Sequence, residues 1–200
     1  MAAPTSKRAE TRRKIVGAAA ELFRTHGIDG VGVDAIMKHA GLTHGGFYLH
    51  FPSKDALAAE AARSLLAQSA AKWESIGRSA DRGVALERIV AMYLDPVRAA
   101  AGTGCPLTTL GPDVARRPAS RAAIGDALRD MLGSLGRALP PDRRGGALAA
   151  LSTLAGAAML SRLTDDPALA EAFLEAAAAA ILPDNPASIG EDRPAGQGAF

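Results

Sequence analysis

Along the first helix-length stretch, Ser6 to Thr25, apolar residues recur every three or four positions: Ile15, Ala19, Leu22 and Phe23, with His26 continuing the row. That is the period of one face of an α-helix, and Gly27 follows where such a helix stops. Its outer side and leading turn carry Lys7, Arg8, Arg12, Arg13 and Lys14. A second, short helix is expected over 33–40, with Val33, Ile36 and Met37 turned inward. Ala40-Gly41-Leu42 then reads as a tight turn, and Thr43 as the cap of a third short helix ending near Leu49. Helix, small-residue turn, helix at this length predicts a helix-turn-helix. Pro52 breaks the chain. Ser53 is a good N-cap for a long fourth helix reaching about Ser75, with Asp55 in its first turn, where negative charge suits the dipole.

Further helices are expected at 82–94, 106–116, 119–138, 146–163 and 167–182, punctuated by Pro96, Pro118, Pro140-Pro141 and Pro167. Segment 146–182 is rich in alanine and glycine, which lets helix axes approach closely. It reads as half of a self-associating bundle with Leu151, Leu154, Ala158, Phe173 and Ala177 at a homodimer interface; a plain intramolecular core fits the same composition. Residues 183–200 hold three prolines and three glycines without periodicity and read as a disordered tail. The expected domains are therefore 1–52, 53–182 and the tail.

Composition sharpens the fold class. Alanine supplies 45 of 200 residues and aromatics only eight. Alanine costs least in a helix, so an all-α protein is expected. One cysteine excludes an intrachain disulfide framework and fits a reducing, cytoplasmic compartment. The polar, basic start lacks the apolar region of a signal peptide. The longest uncharged run, Gly145 to Ser161, has 17 residues, short of the roughly 20 a membrane span needs. Net charge is only +2, but all four histidines lie between positions 26 and 50, behind the basic cluster of residues 7–14.

The residues from Arg12 to Leu57, through IVGAAAELFRTHGIDGVGVDAIMKHAGLTHGGFYLHFPSKDAL, resemble the DNA-binding domain of the tetracycline-repressor (TetR) family. Ala19, Leu22, Phe23, Gly27, Ile36, Ala40-Gly41, Phe47-Tyr48, His50-Phe51 and Lys54 fall where that pattern wants them. The resemblance implies an N-terminal three-helix helix-turn-helix domain followed by a helical ligand-binding and dimerisation domain. It also implies a homodimer that binds a near-palindromic double-stranded operator and answers to a small molecule, most simply as a repressor. Thr43 and His44 then open the recognition helix, the end that meets base edges in the major groove. Gly45 and Gly46 let backbone approach DNA. Tyr48, His50 and Lys54 are placed for phosphate, with core packing the alternative for the first two. Gly32 stands where the family often has a capping hydroxyl, and Gly46 where it often has Ser or Thr. The basic arm, Arg12 and Arg13 included, is expected to compensate.

For the effector, the candidates are Trp73, Met92, Tyr93, Met131 and Met159, large adaptable side chains suited to an apolar cavity. Gly104-Cys105-Pro106-Leu107-Thr108-Thr109-Leu110 adds Cys105 and Thr108, and resembles a segment in a family branch some of whose members sense electrophiles or oxidants. Proline at the first helical position makes Cys105 an N-cap, where the helix dipole is expected to lower the thiol pKa. The alternative is a small buried hydrophobe. No phosphate loop, H-E-x-x-H or Cys-x-x-Cys is present, so no enzyme is expected. His39 and His44 straddle a turn without an evident third metal ligand, and nothing calls for a metal or cofactor. A helical adaptor without DNA affinity is the remaining class.

Overall fold

The computed structural model describes residues 7–95 and 104–182. Among them all regular structure is helical, as the alanine-rich composition requires. The order is α1 (Lys7–His26), α2 (Val33–His39), a 3-10 segment His44–Leu49, and α3 (Lys54–Ser79). Then come α4 (Arg82–Tyr93), α5 (Pro106–Ala115), α6 (Pro118–Ala138), a second 3-10 segment Pro141–Gly146, α7 (Ala147–Leu160) and α8 (Pro167–Ile181). The expected tail and Pro96 lie outside the described residues.

Most helix ends follow from local chemistry. Gly27 and Gly41 adopt φ of 72° and 70°, the left-handed turns that close α1 and follow α2. The Ser53 hydroxyl accepts from the Ala56 N–H at 3.1 Å, and the Asp166 carboxylate accepts from the Ala168 N–H at 2.9 Å. Proline opens α5, α6 and α8, where its missing N–H costs nothing. Two expectations need correction. Helix α3 runs a turn beyond Ser75, to Ser79, because no breaker interrupts its buried row of Leu66, Ala70 and Trp73. The segment after Thr43 is 3-10, not α, and Thr43 caps it without a side-chain hydrogen bond.

Two apolar cores share α3. The first joins α1, α2, the 3-10 segment and Leu57–Leu65 of α3, and takes in Leu110 and Val114 from α5. The second joins Leu66–Trp73 of α3 with α4, α6, α7, and Ala177 and Ile181 of α8. A boundary at residue 52 therefore divides the chain but not the packing.

The second core also corrects the expected dimer residues. Leu151, Leu154, Ala158 and Ala177 are buried inside the chain's own core, and Phe173 is half-buried. The outward apolar residues of this pair of helices are Leu148, Met159, Leu160 and Leu169, with Leu163 just past α7. The physical reason is plain: α7 carries no charge along its whole length, so no polar face marks its outside.

Candidate DNA interface and effector cavity

The 3-10 segment is a mount with two sides. Phe47 and Phe51 are fully buried and stacked at 5.9 Å, and the Arg12 guanidinium lies 4.0 Å over the Phe51 ring. Thr43, His44, Gly45 and Tyr48 face solvent, Tyr48 with 65% of its surface exposed. Tyr48 packs edge-on against Phe47 at 5.1 Å, so its ring is steadied while its hydroxyl stays free of the core. A side chain at Gly45 would meet nothing within 4 Å, whereas one at Gly46 would touch Met37 at 3.7 Å. Gly45 thus supplies the open backbone, and Gly46 packs on α2.

The histidines and the basic arm take more specific positions than their spacing showed. His44 Nδ1 pairs with the Asp34 carboxylate, and His39 Nε2 with Glu21 at 2.8 Å, so the two do not converge. His50 is half-buried, with Nδ1 enclosed and unpartnered. Lys54 is half-buried at the first position of α3. Arg12 is a brace, not a free arm. Its Nε donates to Glu60 at 3.1 Å, Nη2 pairs with the same carboxylate, and Nη1 donates to the His50 carbonyl. Arg13 faces a different groove of about 600 Å³, between α1, α3 and α6. The residues that spacing missed are Arg8, which donates to the Leu49 carbonyl at 3.0 Å, and Asp34. Arg8 was visible only as a member of the basic cluster, and Asp34 only as an acidic residue in the first turn of α2.

Four of the seven expected effector residues come together. Trp73, Met92, Tyr93 and Cys105 line one cavity of about 160 Å³, rimmed by Arg24 and Lys72. The other three do not join them. Met131 is fully buried in the second core, Met159 is exposed on α7, and the Thr108 hydroxyl donates back to the Cys105 carbonyl at 2.8 Å. Cys105 does cap α5, with Pro106 following. Its expected activation is overturned: burial pushes the thiol pKa up, outweighing the opposing pulls of Tyr93, the Leu107 and Thr108 backbone and Arg24. Burial raises the Tyr93 phenol too, and the neighbouring Cys105 adds to it. Tyr93 is 5% exposed and its hydroxyl has no partner of normal hydrogen-bond geometry.

Polar ties join this cavity to the N-terminal core. Arg24 of α1 donates to the Gly104 carbonyl at 2.9 Å. At the far end of α5, Asp113 accepts from the Ile28 N–H at 2.7 Å. Arg117, 14% exposed, pairs with Asp29 and, at 3.1 Å, with Asp55. Both ends of α5 are thereby held to the first core. Among the described residues no helix is long and apolar enough to cross a membrane.

The profile of "Bacterial regulatory proteins, tetR family" matches residues 15–68. The chain is 44% identical over 55 residues to the uncharacterized HTH-type transcriptional regulator YdgC of Bacillus subtilis (strain 168), covering 28% of each. It is 40% identical over 57 residues to the HTH-type transcriptional regulator LmrA of the same organism, covering 28% of this chain and 30% of LmrA. These matches span less than a third of either relative. Whole-chain likeness comes from solved structures. The reduced form of E. coli NemR superposes with a TM-score of 0.70 at 19% identity, over 87% of this chain and 98% of NemR. TetR-family regulators from Agrobacterium tumefaciens and Cytophaga hutchinsonii give 0.72 at 17% and 0.74 at 21%, over 88% and 91% of this chain and 100% of each of theirs. At these identities the likeness establishes the fold.

Proposed function

We propose that the chain, whose residues 15–68 match the profile of the tetR family of bacterial regulatory proteins, is a member of that family and a cytoplasmic, homodimeric transcription regulator. It binds a near-palindromic operator and, as a repressor, leaves it when a small molecule enters the cavity beside Trp73. The observation that carries the reading is the two-sided 3-10 segment, whose buried Phe47 and Phe51 present His44, Gly45 and Tyr48 to solvent. Tyr48 and Lys54 serve phosphate; His44 reads a base edge through Nε2, which Asp34 leaves open. The dimer forms through the outward residues Leu148, Met159, Leu163 and Leu169, an apolar set left exposed among the described residues.

Ligand acts by preferring one arrangement of the two halves, since equal affinity for both shifts nothing. Arg24 is placed to carry that preference, because it rims the cavity and belongs to α1. The effector in this reading binds without a covalent bond. A half-buried thiol whose pKa is raised by desolvation is a slow nucleophile at neutral pH.

A gel shift on DNA flanking the protein's own gene tests the reading. With about four phosphates neutralised per subunit, the log–log salt slope of a dimer is expected near −7. Lys54→Ala is expected to weaken all sequences alike and to flatten the slope by roughly one unit per lost contact. A slope near zero on a specific operator removes the model.

A further inference from the structure

We propose that a second cleft, at the opposite end of α3 from the recognition segment, binds a small multiply charged phosphoanion. Lys54 and Arg78 stand roughly 35 Å apart along that helix. The cleft has a volume of about 390 Å³ and is walled by the last turns of α3 and α6, the start of α4 and the second 3-10 segment. Each of these four elements contributes one arginine: Arg78, Arg82, Arg137 and Arg144. A single carboxylate, Glu74, is among the lining residues, and it pairs with two of the four.

The arginines are not equivalent. Arg78 and Arg137 share Glu74, at 3.1 and 3.4 Å, and each lies in the last turn of its helix. A cation there is favoured by the negative end of the dipole. Arg137 also donates to the Ser134 hydroxyl at 3.1 Å. Those two have sufficient reason to be where they are without a ligand. Arg82 and Arg144 are solvent-exposed and are held by no such contact. Neither has an ion pair among the described residues, and Arg82 opens α4, where the dipole is positive and a cation is disfavoured. The adjacent Arg143 shows the contrast, since it donates to the Ala180 and Ile181 carbonyls at the end of α8.

The cleft is also kept open. A side chain at Gly77, two residues before the end of α3, would meet nothing within 4 Å. Four guanidinium groups around one carboxylate repel each other in the unliganded fold. An anion with several phosphate oxygens relieves that repulsion and accepts paired N–H bonds from planar guanidinium groups. Trp73 floors this cleft and also walls the first cavity. It is the only tryptophan in the chain, so its fluorescence reports directly on the site.

The experiment titrates the full chain with inorganic pyrophosphate at low salt, reading Trp73 fluorescence and Tm. A saturable fluorescence change and a rise in Tm are expected. The double variant Arg82→Gln/Arg144→Gln is expected to bind at least ten-fold more weakly. Its unliganded Tm should be no lower than that of the parent, because two unpaired like charges have been removed. Arg162→Gln, an exposed arginine beyond α7, should bind as the parent does. ATP is run in parallel: tighter binding assigns the site to a nucleotide, equal binding to the phosphate groups alone. No saturable change, affinity retained in the double variant, the same response to sodium chloride at matched ionic strength, or tighter binding of citrate would each overturn the proposal.

Discussion

The two cores that share α3 are built from different materials. The first packs Phe23, Phe47, Phe51, Ile15, Ile28, Ile36 and Leu57, all essentially inaccessible. Its loops are pinned by charged bonds, Arg12 to Glu60, Asp113 to Ile28 and Arg117 to Asp29. The second core relies on small residues, with Ala85, Ala127, Ala138, Ala150, Ala157, Ala158 and Ala177 among its buried members. Its two aromatic residues, Trp73 and Tyr93, meet edge-on at 5.7 Å, and cavities lie on both sides of Trp73. The lesson is mechanical. In the proposed reading, a surface that presents side chains to a fixed duplex geometry is backed by dense, cross-tied packing. The region proposed to admit a ligand keeps voids instead, and Trp73, Tyr93 and Cys105 line one of them.

The contrast breaks most easily at Phe47. Phe47→Ala is expected to cost about 3–5 kcal/mol of stability, and Leu154→Ala about 2–5 kcal/mol, both read by urea denaturation. If the second core is the looser one, its loss falls at the low end of that range. Charge on the outer face should do something different. Leu148→Asp and Leu163→Asp are expected to leave the helical fold intact while light scattering shows monomers. An intact dimer in both would place the interface elsewhere.

Arg117→Ala tests the ties between the regions. Its partners Asp29 and Asp55 are largely exposed, so screening limits the loss to about 1 kcal/mol. Hydrogen exchange should nonetheless quicken at the 27–30 loop, where α5 grips the first core.

The smallest effect is expected at Tyr93. Tyr93→Phe deletes a buried hydroxyl whose one polar neighbour is the Cys105 thiol, a weak partner, so stability should change by less than about 1 kcal/mol. Cys105 sharpens the same point through pH. Both groups have raised pKa values, so the neutral pair is stable below the ordinary thiol value, and that contribution is lost as pH rises through the raised one. Alkylation of native Cys105 by iodoacetamide at pH 8 should be slower than that of a free thiol, and should match it in urea.

Much of this molecule was written in its residue order. The row Ile15, Ala19, Phe23, the glycines at 27 and 41, and Ser53 before α3 are local signals, since backbone geometry and capping need only near neighbours. They located the helices of both halves and the recognition segment. The fold class followed from alanine content for the same reason. What local signals did not determine was which face of α7 lies inside. Leu148 and Leu151 are alike as residues, and only packing against α4, α6 and α8 separates them. Arg12 and Arg13 are adjacent in the chain, yet the first braces the recognition segment while the second faces α6. Cys105 sits at the helix terminus its proline announced, but the walls that raise its pKa come from α3 and α4. Charge state, facing and cavity are sums over neighbours distant in sequence, and the tertiary structure alone decides them.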